Sequence, residues 1–225
     1  MTAPRTHFSI NDTNQLRRIS ERGHYDTDTV FNIIDQCRIA HVGFVDNERP
    51  IVIPMTCARD RDTLIIHGAN KGRITETTQG MPVCLTFTLT DALVYARSIF
   101  HSSMNYRSAV VHGLATAITD PEEKLAALHS MSERLMPGRW AEVRAPLEKE
   151  LKATKVMRVH IEYASAKIRN MGVMDDESDY TPEQWSSTWA GVLPIASGFG
   201  QPLTDAHTPS TIQVTASVMR LARST

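Results

Sequence analysis

The chain has little that would take it out of the ordinary globular class. Its 225 residues include only three cysteines, Cys37, Cys57 and Cys84, an odd number set far apart in apolar or strand-like runs. That excludes a disulfide framework and a zinc site and predicts reduced core thiols. No apolar run approaches the roughly 18 residues that cross a bilayer. Met1-Thr2-Ala3-Pro4-Arg5 opens on polar sequence without the apolar stretch of a secretory leader, so a cytoplasmic protein with no membrane contact is expected. An excess of one charge is missing too. The 24 basic and 25 acidic residues are well mixed and leave a formal charge of −1, so nucleic acid is not an expected partner. There is no internal repeat or low-complexity tract. His41, His101, His112 and His160 show no metal-ligand spacing such as His-Glu-x-x-His.

What is present is mainly strand. Residues 1–26 are polar and read as an arm that needs a surface to lie on. Asp26 or Thr27 caps a helix whose apolar positions Val30, Phe31, Ile33, Ile34 and Cys37 follow helical spacing. From residue 38 the period becomes that of strands, over 39–45, 50–59, 63–67, 82–90, 93–99 and 106–118, joined by turns such as Asp46-Asn47-Glu48. Ile51, Ile53 and Met55 alternate with Val52, Pro54 and Thr56, so this strand is expected to be covered on two sides, as in a closed barrel packed against a helix or another subunit. Asp120-Pro121-Glu122-Glu123 starts a helix with Leu125, Leu128 and Leu135 on its buried face, and a second helix is expected over 140–153. Residues 154–163 return to strand. A tail over 201–225 ends in a possible helix from Pro209.

Two stretches carry chemistry. In the first, His67-Gly68-Ala69-Asn70-Lys71-Gly72-Arg73, a strand ends and a short helical run over 73–79 begins. Two glycines let the backbone approach a ligand, and Lys71 and Arg73 bring positive charge to the turn, so a phosphomonoester fits there. The alternative is a solvated turn with two surface cations. The spacing is neither the dinucleotide fingerprint nor a Walker loop. In the second stretch, residues 97–113, Tyr106, Arg107 and Ser108 begin a long strand with Arg107 on the opposite face from the two hydroxyls. Arg107 then serves either a phosphate or a salt bridge.

His67-Gly68-Ala69 with Lys71-Gly72-Arg73, then Asn105-Tyr106-Arg107-Ser108 before Val-Val-x-Gly, then Trp189-Ala190-Gly191-Val192-Leu193-Pro194, occur in that order and spacing. In this the chain resembles the pyridoxamine 5′-phosphate oxidase-related flavin-nucleotide-binding proteins over about residues 15–205. It is most similar to the branch with the nitroimidazole-resistance proteins, which also carries a Tyr-Asp before its first helix, here Tyr25-Asp26. The resemblance implies a mainly β fold, a six-stranded antiparallel split β-barrel with flanking helices over 27–200. It also implies a homodimer binding FMN in grooves at its interface. Lys71, Gly72 and Arg73 would hold the phosphate and Pro54, Met55 and Thr56 would line the isoalloxazine. Ser102, Asn105, Tyr106, Arg107 and Ser108 would supply polar contacts, and Trp189 would close the groove. His67 takes the family's position beside the flavin, as an acid or base or only as a hydrogen-bond donor. Haem, bound by some relatives through a histidine near the groove, is the alternative cofactor.

The additional basic residues that classical pyridoxamine phosphate oxidases carry near the C-terminus are absent from Trp189 to Thr225. Arg169, in a Lys-Ile-Arg-Asn run, is the one substitute. Vitamin salvage is therefore not expected. The resemblance implies instead an oxidoreductase that passes electrons from a reduced nicotinamide or other donor through FMN to a small acceptor such as a nitroaromatic or quinone. The alternatives are a non-enzymatic flavin or haem carrier or sensor, and a barrel that has lost its cofactor.

Overall fold

The computed structural model describes residues 5–224, with residues 184–186 described by their backbone alone. Residues 1–4 and 225, where the expected arm begins and the expected tail ends, lie outside the described residues. In chain order the elements are β1 (Gly23–His24), α1 (Thr27–Gln36), β2 (Ile39–Asp46), β3 (Arg49–Asp60), β4 (Thr63–Ala69) and α2 (Arg73–Thr77). Then come β5 (Met81–Tyr95), β6 (Ser103–Ala117), α3 (Pro121–Leu135), α4 (Glu148–Ala153) and β7 (Thr154–His160). β8 (Tyr163–Arg169), α5 (Pro182–Ser187), β9 (Gly191–Pro194) and α6 (Ala216–Ala222) complete the set. All registered strand pairs are antiparallel, as the sequence predicts. No helix among the described residues is long and apolar enough to cross a membrane.

The chain forms two compact units. One comprises residues up to Cys37, Cys84–His112 and Glu162–Ala196; the other comprises Arg38–Val83, Gly113–Ile161 and the chain from Ser197 onward. The strands β5 and β6 each begin in one unit and end in the other.

In the first unit β8 pairs with β1 on one side, Gly23 opposite Lys167, and with β6 on the other, from Tyr106 opposite Arg169 to His112 opposite Tyr163. The end of β5 pairs with β9, Leu93 opposite Leu193. α1 starts where expected because the Asp26 carboxylate accepts the Thr29 N–H at 2.8 Å, which satisfies one orphan donor of the first turn. Its Val30, Ile33 and Ile34 are buried. The arm has its surface: Phe8 is 1% exposed, and Asn14 Nδ2 donates to the carbonyls of Ser9 and Ala164, each at 3.0 Å.

In the second unit β2 and β3 form a hairpin, Asp46 opposite Arg49, turned by Asn47 and Glu48 with φ of 48° and 61°. Two successive positive φ values give the turn the twist that a two-residue hairpin needs. β4 pairs with β3 and β7, and β7 pairs with the end of β6. α3 is capped by Asp120, whose carboxylate accepts the Glu123 N–H at 2.8 Å, with Pro121 in its first turn. Asp120→Ala should cost about 1 kcal/mol, read as a lower urea midpoint with unchanged slope.

Several expectations are corrected. The strands expected over 82–90 and 93–99 are one strand, β5. Its polar Asp91 does not break it, because Arg107 on β6 pairs with that carboxylate. The helix expected over 140–153 is a 3₁₀ turn at Trp140–Glu142 and the separate α4, since Pro146 lacks an N–H and bars its predecessor from helical geometry. The buried face of α3 is Ala127 and Met131, packed on Ala58, Ile65, Ile118 and Val156 with Leu128 at the margin, whereas Leu125 is 39% exposed. On β3 Val52 is 63% exposed, so among the described residues nothing covers the second face there, which the sequence assigns to a helix or another subunit. The final helix starts at Ala216, later than Pro209.

Candidate functional site

The second unit contains the expected phosphate turn. Gly72 N–H donates to the Ala69 carbonyl at 2.9 Å, and the Thr75 hydroxyl donates to the carbonyls of Ala69 and Gly72 at 2.7 and 2.9 Å. These bonds tie the turn to the first residues of α2. The glycines serve this tie: a Cβ on Gly68 would lie 3.1 Å from Thr75 Cγ2, and one on Gly72 would lie 3.0 Å from the Ala69 carbonyl oxygen. Their lack of a side chain lets the helix close onto the turn. Lys71 is exposed, with no hydrogen-bond or ion-pair partner among the described residues. Arg73 is exposed as well, but its Nε meets Asp46 Oδ2 at 2.5 Å. The turn therefore holds one cation free to meet an anion and one partly neutralised by a carboxylate the sequence did not suggest.

Thr56 and His67 extend one step beyond the Cys57 to Ile66 register pair of β3 and β4, so the Pro54-Met55-Thr56 segment and His67 belong to the same end of this ladder. Pro54 is exposed, and Met55 and Thr56 are half-buried. His67 Nδ1 is buried with no hydrogen-bond partner among the described residues, a costly state for an imidazole nitrogen. Burial pushes the His67 pKa down, which keeps the ring neutral near pH 7, one nitrogen a donor and the other an acceptor. Lys155, directly opposite Gly68 on β7, is a further cation beside the turn that strand pairing alone reveals.

The His67 shift has a sign in the pH dependence of stability. Its folded pKa lies below the unfolded value, so the unfolded chain takes up the proton first and stability falls as pH drops below about 6.5. Burial shifts His112 the same way. His67→Gln should flatten the acid limb of a plot of unfolding free energy against pH between 7 and 5, leaving the slope due to His112. An unchanged limb would exclude the neutral buried state.

In the first unit the expected polar contacts are engaged internally. Arg107 makes a fork to Asp91, Nη2 to Oδ1 at 2.8 Å and Nε to Oδ2 at 3.0 Å, and its Nη1 donates to Gln36 Oε1 at 2.8 Å. Hydrogen bonding to Asp91 raises its already high pKa. The salt-bridge reading of Arg107 is the one the structure displays. Ser102 Oγ accepts from Ala96 N–H at 3.1 Å and donates to the Ser98 carbonyl at 3.2 Å, closing its loop. Asn105 Nδ2 donates to the Met171 carbonyl at 3.0 Å while its Oδ1 accepts from Met171 N–H at 3.2 Å and from Arg169. Ser108 Oγ donates to the Lys167 carbonyl at 3.3 Å. Only the Tyr106 hydroxyl of this group has no hydrogen-bond partner among the described residues.

Trp189 is 67% exposed. Its ring centroid lies 5.8 Å from that of Tyr95, and it overlies Gly191, where a Cβ would come within 2.7 Å of the indole. His101, Asp176 and Asp179 bring donor atoms within 4.8 Å of one another. Local structure accounts for that grouping, because Asp179 caps the Asp176 N–H of the Glu177–Asp179 turn and His101 bonds Asp176 at 3.0 Å.

Residues 26–168 match the pyridoxamine 5′-phosphate oxidase family, and the chain belongs to it. Its fold is therefore the split barrel that this family builds. Among solved structures it is similar to the flavocytochrome Anf3 from Azotobacter vinelandii, at 33% identity and TM-score 0.86 over 94% of this chain and 97% of that one. It is also similar to the FAD and haem binding protein from Mycobacterium smegmatis, at 30% identity and TM-score 0.83 over 89% and 97%. A protein from Bacteroides thetaiotaomicron, described as a candidate 5-nitroimidazole antibiotic resistance protein, matches at 26% identity and TM-score 0.55 over 65% and 86%. No curated protein matches the chain.

Proposed function

We propose that the chain binds a flavin nucleotide and works as a redox protein, accepting electrons from a reduced nicotinamide or other donor and passing them to a small acceptor such as a nitroaromatic or quinone. The observation that carries this reading is the pairing of an unpartnered buried His67 Nδ1 with a free Lys71 on one strand end and its following turn. A bound group that presents a hydrogen-bonding atom to the histidine and a phosphate to the lysine would satisfy both. Flavin nucleotides have that pair of features, and two relatives similar over nearly their whole length bear names that include a flavin.

Lys71 and Arg73 would hold the phosphate, and the exposed surface of Pro54, Met55 and Thr56 would lie along the ring. His67 would donate or accept one hydrogen bond without carrying charge. The flavin, when bound, supplies the electron transfer, and the protein's residues supply position and electrostatics. A homodimer, in which a second copy adds Ser102, Tyr106 or Trp189 to the groove, is part of this proposal, as is FMN as the form bound.

The second reading adds haem, because one relative is named as a haem binding protein and the other as a flavocytochrome, and a neutral imidazole is a suitable iron ligand. Absorption spectra of the purified protein, alone and after addition of FMN, FAD or haemin, test both. Flavin bands near 370 and 450 nm, as for flavins generally, are the expected result, and chromatography of the released flavin tells FMN from FAD. A Soret band supports the second reading. A colourless protein that none of these ligands stabilises against heat would overturn both. Electron transfer is tested by steady-state assays with panels of donors and acceptors, where no flavin-dependent turnover would leave only a carrier.

A further inference from the structure

Apart from the exposed Arg17 and Asp12 pair, at 3.9 Å, the first unit pairs arginines with aspartates in two places. Arg97 Nη1 meets Asp175 Oδ2 at 2.9 Å, and Arg107 forms its fork with Asp91. Arg169 is different. It is 4% exposed, yet its guanidinium bonds only neutral acceptors, the Asn105 amide oxygen and, at 3.4 Å, the Met171 carbonyl. No carboxylate among the described residues pairs with it. A lysine or histidine in such a place could shed its proton, but arginine stays charged. A buried, uncompensated positive charge is expensive to hold.

The neighbourhood makes the imbalance larger. Burial depresses the Arg169 pKa, and nearby Arg22 acts in the same direction. Among the described residues the Arg22 guanidinium has only a poor acceptor, Met171 Sδ at 3.7 Å. Tyr106 faces Arg169 across the β6 and β8 register and has a hydroxyl with no partner among the described residues. These groups come from three segments of one unit. They comprise two cations and a phenol, with a thioether occupying one guanidinium. Meanwhile the Met171 backbone is clamped on both sides by Asn105, so its side chain can swing away while the main chain under it stays in place.

We propose that Arg169, Arg22 and the Tyr106 hydroxyl form a binding site for the oxyanion of a small molecule, a carboxylate or a phosphate. The anion displaces the Met171 thioether from Arg22 and takes charge-assisted hydrogen bonds from both guanidiniums, the planar forks suiting either oxyanion. This site shares only Tyr106 with the residues named for the flavin and goes beyond the flavin reading, since it requires no flavin to be filled.

The test is thermal denaturation of the purified full chain, titrated with inorganic phosphate or with benzoate against chloride at constant ionic strength. Wild type, Arg169→Gln, Arg22→Gln and Lys71→Ala are compared. A saturable rise in melting temperature is expected for at least one of the two anions. Preference for benzoate identifies a carboxylate ligand and preference for phosphate a phosphoryl one. The half-saturating concentration should rise about tenfold or more in Arg169→Gln and Arg22→Gln, while Lys71→Ala removes whatever phosphate the turn itself binds and leaves the Arg169 and Arg22 response in place. Equal responses in all four proteins would reduce the effect to general salt stabilisation and overturn the proposal, and a response lost only in Lys71→Ala would assign the anion to the turn. Should Arg169→Gln fail to fold, the surface variant Arg22→Gln decides alone, and an unshifted midpoint there overturns the site.

Discussion

Replacing Lys71 and Arg73 together with alanine should weaken flavin nucleotide binding by about 100-fold while leaving riboflavin binding within about threefold. A hydrogen bond to a charged partner contributes about 1.5–3 kcal/mol net when well formed. Lys71 is exposed, which favours the lower end of that range. Arg73 must share its charge with Asp46, 2.5 Å away, so its net gain from a phosphate is smaller still. A total of about 2.7 kcal/mol corresponds to the expected factor. Asp46→Asn is the informative companion: it releases Arg73, and nucleotide affinity should rise. Equilibrium titration followed by flavin fluorescence measures all of these. An equal loss for riboflavin and FMN would mean that the two side chains support the fold or the ring site and not a phosphate.

The largest stability effect is expected at Gly113. A Cβ built there would sit 2.0 Å from the His160 carbonyl oxygen and 3.1 Å from both the His160 carbonyl carbon and Val159 Cγ1. The first of these is backbone, held in the β6 and β7 pairing that sets Ala115 opposite Val159, and Val159 is itself buried. Overpacking against movable side chains costs about 1–3 kcal/mol. Here the strand must shift and strain its ladder, so Gly113→Ala should lose about 3 kcal/mol or more, or fail to accumulate as soluble protein. Gly200→Ala is the control, since a Cβ there has nothing within 4 Å and should change stability by under about 0.5 kcal/mol. Urea denaturation compares the two. Similar small effects would mean that the approach at Gly113 relaxes at little cost.

The legible parts of this protein were those set by neighbours in sequence. Asp26 and Asp120 mark helix starts because an N-cap bonds an N–H two or three residues ahead, and both caps occur as expected. The β2 and β3 hairpin follows from a turn of two residues and alternating apolar positions. The illegible parts depended on distant partners. Residues 91 and 92 fell between two expected strands, and the partner that carries Asp91 within β5, Arg107, is on the next strand. The run from Trp140 to Ala153 has helical spacing, but Pro146 divides it.

The same division runs through the candidate site. The sequence by itself determined a mainly antiparallel β chain of one family, a turn carrying Lys71 and Arg73 after a strand ending near His67, and a donor-rich start to β6. It did so because strand periodicity, caps and turn chemistry act over a few residues. Only the tertiary structure decided which cations remain available. It neutralised Arg107 with Asp91 and shared Arg73 with Asp46, and it buried His67 Nδ1 without a partner. It also left Arg169, in an unremarkable Lys-Ile-Arg-Asn run, without a counter-charge among the described residues. Ion pairing and burial are settled by strand register and by segments tens of residues apart, and these long-range pairings leave no periodic trace in the chain.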